Sequence, residues 1–176
     1  PALEKVIPRI PKDFPIPVLI VQHMPPLFTK SLADRLNGLS QIVVKEAQSG
    51  DYVEPGHAYI APGSFQMTIL KRDQALYIRT SKEPSNLLHR PSVDVLFSSA
   101  AQYYKEDLLA VILTGMGHDG RDGSRTIKKQ NGTLIAQNEE TCVVFGMPGS
   151  VVKENLADHI LPIDNVANKI IELVYQ

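Results

Sequence analysis

Val93, Leu96, Phe97, Ala100, Ala101 and Tyr104 recur at spacings of 3, 1, 3, 1 and 3 residues, and the apolar run LLAVIL (Leu108 to Leu113) follows directly. The first pattern places one apolar stripe along an α-helix. The second has no polar alternation, so as a strand it must be buried on both faces. A helix feeding a doubly buried strand is the repeating unit of a parallel sheet with helical cover. Ser92, preceded by Pro91, supplies an N-cap for the helix.

The same alternation runs through the chain. Val18 to Val21, in the proline-bounded PIPVLIVQ, reads as a buried strand. Pro25 and Pro26 break it, and Leu27, Phe28, Leu32, Ala33 and Leu36 mark a helix face that Gly38 ends. Ile42 to Val44 and Ala58 to Ala61 are further short strands. Gln66 to Leu70 and Ala75 to Arg79 make a hairpin with Lys71 to Gln74 as its turn. A polar loop covers 81–91. Asp122 or Ser124 starts a helix running to about Gln130, and Thr133 to Gln137 is a strand. A helix over 147–156, a short strand at His159 to Leu161 and a final helix capped by Asp164 complete the expectation, with Val166, Ala167, Ile170, Ile171 and Val174 on the last helix's apolar face. The fold class is α/β: a doubly wound, mostly parallel sheet with helices on both faces and a small antiparallel hairpin, with residues 1–176 as a single domain.

The totals narrow the function. Eighteen basic residues nearly cancel nineteen acidic ones, for a net charge of -1, which argues against nucleic acid and anionic membranes as partners. The apolar runs fall far short of the roughly 18 residues a membrane span needs. With one cysteine, Cys142, no internal disulfide is possible, and a reducing compartment fits best. The chain opens on Pro1 rather than Met, as expected of a piece of something longer.

In such sheets ligands bind beyond the carboxyl ends of the strands. Two loops sit there: QHMPP after Val21 and TGMGHDG after Leu113. His23 is placed where a sheet enzyme would hold a general base, or is a loop histidine bonded to backbone. In the second loop, bare glycines let peptide N–H groups face a phosphate or an oxyanion closely. Asp119 can orient and charge-stabilise a histidine, or simply cap a tight turn. Gly115, Gly117 and Gly120 also fit G-x-G-x-x-G, so a nucleotide- or phosphate-binding module is the alternative. No acidic residue at the next strand end supports it; Gln137 stands there instead.

Other candidates carry less. DGRDG resembles a calcium loop poorly, because Arg121 and Gln130 occupy ligand positions. His23, His57, His89, His118 and His159 show no zinc-site spacing. Cys142 reads as a small apolar residue rather than a nucleophile, and His118 as a surface residue.

The segments VQHMPPLFTKSLADRL, KEAQSGDYVEPGHAYIAPG, HRPSVDVLF, LTGMGHDG and AQNEETCVVFGMP together resemble the catalytic domain of chemotaxis protein-glutamate methylesterase, in order and over essentially all of the chain. The resemblance implies a serine hydrolase with chain order Ser, His, Asp. His23 is then the triad histidine, Asp119 the triad aspartate, and the Met116 N–H an oxyanion donor. It implies no metal and no cofactor, a cytoplasmic location, a methylated chemoreceptor as protein substrate, glutamine deamidation as a second activity, and a phosphorylatable receiver domain upstream. The family's nucleophile lies in a G-x-S-x-G-G-P turn whose serine would precede Pro1. Ser31, Ser64, Ser92 and Ser124 lack that context. Gln66 stands where the family often has histidine.

Overall fold

The computed structural model describes residues 1–176. The chain divides into two compact units, one of Ile7–Leu96 and one of Pro1–Val6 with Phe97–Gln176. Each is an α/β layer around its own parallel sheet.

In the Ile7–Leu96 unit, β1 (Val18–Ile20), β2 (Val43–Glu46) and β3 (His57–Ile60) form a parallel sheet in the order β1-β3-β2. Ala58, Tyr59 and Ile60 are consecutive and all buried, so both faces of β3 are covered, as a parallel strand requires. Helix α2 (Phe28–Leu39) packs on β2 and buries Leu32, Ala33 and Leu36. It runs one residue past Gly38, which has no left-handed φ and therefore does not act as the helix stop the sequence suggested. Strands β4 (Gln66–Arg72) and β5 (Ala75–Ser81) form the expected antiparallel hairpin. Its turn is tighter than expected. Lys71 pairs with Leu76 and Arg72 with Ala75, leaving only Asp73 and Gln74, at φ 52° and 70°, as the two-residue turn. The core of this unit gathers Ala47, Val53, Tyr59, Ala61, Met67, Ile78 and Leu96. Burial pushes the Tyr59 phenol up, and its hydroxyl donates to the Tyr52 carbonyl at 2.7 Å.

The second unit opens with a five-residue helix, α1 (Ala2–Val6), which the sequence pattern did not announce. Helix α3 (Val93–Tyr104), which crosses the boundary between the units, matches the expected span, and Ser92 caps it: the Val95 N–H donates to Ser92 Oγ at 3.4 Å. Strands β6 (Leu109–Ile112), β7 (Thr133–Gln137) and β8 (His159–Leu161) form a parallel sheet in that order. Helices α4 (Arg121–Lys129), α5 (Met147–Lys153) and α6 (Ile163–Val174) pack on β7. Leu134, Ile135 and Ala136 are all fully buried, which again marks a strand covered on both faces.

Two helix starts differ from expectation. Helix α4 begins at Arg121, because Gly120 at φ 103° serves as its N-cap position; Asp122 and Ser124 lie inside the helix. Helix α6 begins at Ile163 after Pro162, so Asp164 sits in the first turn, complementing the helix dipole. Helix α5 is also shorter than the expected 147–156, ending at Lys153.

Candidate functional site

His23 follows β1 by three residues, half-buried, on the loop that Pro25 and Pro26 stiffen. The loop is pressed against Gly63. A Cβ built on Gly63 would stand 2.4 Å from the Pro25 carbonyl carbon and the Pro26 nitrogen, so only glycine permits this approach. The Gly63 N–H donates to Thr29 Oγ1 at 3.0 Å, and Thr29, fully buried, donates in turn to Glu46 Oε2 at 2.6 Å. Leu27, exposed at φ 74° and ψ -40°, makes the sharp turn from Pro26 into α2. That conformation is strained for a residue with a side chain. The His23 ring lies flat on the His89 ring, with centroids 3.9 Å apart and planes 5° apart.

Met116 follows β6 in the second unit, on a loop built from backbone. Gly115 donates from N to the Val144 carbonyl at 3.1 Å, and its own carbonyl accepts from Gly146 N at 3.1 Å and Met147 N at 2.8 Å. A Cβ on Gly115 would meet the Met147 sulfur at 2.5 Å, and one on Gly146 would meet the Gly115 oxygen at 2.7 Å and the Gly117 nitrogen at 2.8 Å. Gly117, at φ 83°, has open space around it and is required by conformation instead. Between these glycines Met116 is 76% exposed, and its N–H has no hydrogen-bond partner within the chain. An amide held in place with its donor unspent can meet a developing negative charge.

Gln137, the residue at the strand end where a dinucleotide site would want an acid, is almost fully buried and fully used. Its Oε1 accepts from Thr114 N at 2.8 Å, while Nε2 donates to the Thr141 carbonyl at 2.8 Å and Thr141 Oγ1 at 3.2 Å. Thr114 Oγ1 also donates to the Val144 carbonyl at 3.0 Å and accepts from Val144 N at 2.9 Å. The Arg125 guanidinium bonds both Glu154 oxygens, at 2.8 and 2.6 Å, tying α4 to α5 and holding the Glu154 carboxyl below its ordinary range. Asp119 is buried at 7% exposure, whereas its neighbour His118 is exposed. No group of three or more His, Cys, Asp or Glu side chains stands in a metal-binding arrangement.

The CheB methylesterase family model matches residues 1–170. The chain belongs to the CheB methylesterase family. A crystal structure of the Thermotoga maritima CheB methylesterase catalytic domain superposes with a TM-score of 0.95 at 48% identity, over 98% of this chain and 91% of that one. Among curated relatives, the Thermotoga maritima protein-glutamate methylesterase/protein-glutamine glutaminase is 48% identical over 98% of this chain and 50% of its own length. A Methanosarcina mazei protein of the same description is 46% identical over 98% of this chain and 48% of its own. The chain thus spans about half the length of the curated relatives it matches. The architecture read from the sequence, parallel sheet with flanking helices and a small hairpin, is the one this CheB methylesterase-family chain has, its parallel strands grouped three to each unit.

His23 belongs to the Ile7–Leu96 unit, and Met116 and Asp119 belong to the other. Several supports of these loops escaped the sequence reading. Gly146 and Met147 were visible only as part of FGMP, with nothing to say they clamp Gly115. Gln66, marked in the sequence only as standing where the family often has histidine, is fully buried in β4, and a lone amide among apolar neighbours is the signal that points to its structural role. No helix is long and apolar enough to cross a membrane.

Proposed function

We propose that this chain carries the hydrolytic part of a serine esterase that removes methyl groups from glutamyl esters of chemoreceptors, and that also deamidates receptor glutamines. The observation that carries the reading is the Met116 amide: unbonded within the chain, on an exposed residue, and flanked by glycines whose backbone packs against Gly146. Membership of the CheB methylesterase family supports it, as does the description of the relatives as protein-glutamate methylesterase/protein-glutamine glutaminase.

The roles follow from the chemistry. A serine hydroxyl is a weak nucleophile until a base takes its proton. In this reading the serine belongs to residues that precede Pro1 in the parent protein. His23 accepts the serine proton as Oγ attacks the ester carbonyl. The carbonyl oxygen becomes an oxyanion, to which the Met116 N–H donates. Such a donor contributes roughly 3 to 4 kcal/mol. The intermediate collapses, and His23 returns the proton to the departing methoxide, which leaves as methanol. Water, activated by His23, then releases the glutamate. With a glutamine side chain the leaving group is ammonia. Asp119, a buried carboxylate, holds the histidine tautomer and offsets its transient positive charge. The site residues proposed are therefore His23, Asp119 and Met116, with a cytoplasmic location and an upstream receiver domain as further parts of the reading. The curated relatives are roughly twice this chain's length, which leaves room for such a domain in them.

The test is methanol release from methylated chemoreceptor by the chain preceded by its serine-bearing segment. Release is expected, and His23→Ala should abolish nearly all of it. No release, or an unchanged rate in His23→Ala, defeats the reading.

A further inference from the structure

We infer that His89 is a positioning residue for His23: its ring, carried on a loop that the buried amide of Gln66 pins, sets the plane of the His23 imidazole. The inference rests on His23 being the general base.

The stack is the first observation. At 3.9 Å between centroids and 5° between planes, the rings are in flat contact. A base that takes a proton on one ring nitrogen and keeps a proton on the other uses two directions that both lie in the ring plane. Rotation about the Cβ–Cγ bond swings both directions away together. A flat neighbour against one face opposes that rotation without itself occupying the ring edge, where both nitrogens lie.

The second observation is how His89 is held. Gln66 is fully buried in a strand whose other buried residues are Met67 and Ile69. A buried amide is retained at a cost unless its donors and acceptor are all met. Gln66 meets them on the His89 loop: Nε2 donates to the His89 carbonyl at 2.9 Å and the Pro84 carbonyl at 3.4 Å, and Oε1 accepts from Ser92 N at 2.8 Å. Ser64 N adds a bond to the Arg90 carbonyl at 3.2 Å. The same short stretch also presents Gly63 to Pro25 on the His23 loop. One segment, residues 63–66, therefore packs against both loops that carry the stacked rings.

The experiment measures kcat and KM for methanol release by the chain with its serine-bearing segment, with melting curves to confirm folding. His89→Ala should lower kcat about tenfold with KM unchanged, because the ring plane is released while ester binding is not. His89→Phe, which restores a flat face but can neither titrate nor donate, should return kcat to within about threefold of the parent. Nitrogen-15 spectra of the His23 ring should show one tautomer in the parent and in His89→Phe, and a mixture in His89→Ala. A parental kcat in His89→Ala, alongside an inactive His23→Ala, overturns the inference and leaves His23 as base. A His89→Phe variant tenfold down overturns it too, because stacking would then not be the property that matters. An active His23→Ala removes the base itself and the inference with it. Should His89→Ala fail to fold, His89→Phe decides the question alone.

Discussion

The Met116 loop is held by its own backbone and by glycines packed against α5, whereas the His23 loop lies against Gly63, which the side chains of Thr29 and Glu46 hold, and its ring lies against His89, whose loop Gln66 holds. The contrast fits the roles proposed for each loop, an oxyanion donor and a base. An oxyanion donor is a peptide N–H, so its position is a backbone position, and bare residues that let chain pack on chain define it most tightly. A base is a ring on rotatable bonds, so its position also needs a stiff loop and something flat or bonded around the ring. The first kind of support is local in sequence and written in glycine. The second is assembled from segments up to 66 residues apart, as His23 and His89 are.

Substitutions at the two close contacts should strike hardest. In Gly146→Ala the new Cβ meets the Gly115 oxygen at 2.7 Å and the Gly117 nitrogen and oxygen at 2.8 and 3.0 Å, so the peptides on either side of Met116 must move. A loss of about 100- to 1,000-fold in kcat is expected, the range for a lost oxyanion donor. Gly63→Ala drives a Cβ to 2.4 Å from the Pro25 backbone, which cannot yield as a flexible side chain would. It should cost about 100-fold through the displaced His23 and roughly 3 kcal/mol of stability by overpacking, read from a denaturant melt. Near-parental activity in either variant would mean that its contact does not hold its loop.

Thr29→Val probes the side-chain support alone. It keeps the volume but leaves the Gly63 N–H without its acceptor and Glu46 Oε2 without its donor. A stability loss of about 1 to 3 kcal/mol is expected. A loss under about 0.5 kcal/mol, the size expected of a surface change, would show the His23 loop to be held by Gly63 and the prolines without it. The smallest effect belongs to Cys142. Burial pushes its thiol up, so the protonated form persists to higher pH than in a free cysteine. Alkylation should be slower than for a free thiol and should rise only as pH climbs through that raised value, and Cys142→Ser should leave hydrolysis intact. Fast alkylation at neutral pH, or lost hydrolysis, would return the thiol to consideration.

The same contrast sets what the sequence disclosed. LLAVIL and TLIAQ announce β6 and β7 because strands buried on both faces need unbroken apolar runs. Helix α3 is equally plain from its stripe and its Ser92 cap. The start of α4 was misplaced because Asp122 and Ser124 are better caps by type than Gly120, and only the φ of 103° shows that glycine takes the position. The hairpin turn was drawn too long because Lys71 and Arg72 look like turn polarity, yet they sit on the exposed end of a continuing ladder. The glycines of TGMGHDG stood out as a backbone device, but which peptides they face depends on Gly146 and Met147, about thirty residues on. The stack of His89 on His23 was invisible, since 81–91 has no periodicity and its placement is decided by one amide in another strand.

Under the proposed function, His23 and Asp119 serve one reaction. A double-mutant cycle on methanol release tests it most directly. Asp119→Asn should cost heavily, about 10,000-fold for a triad carboxylate, when His23 is present. It should cost almost nothing further in His23→Ala. If instead the two losses multiply, each residue acts on its own and the shared role assigned to them is wrong.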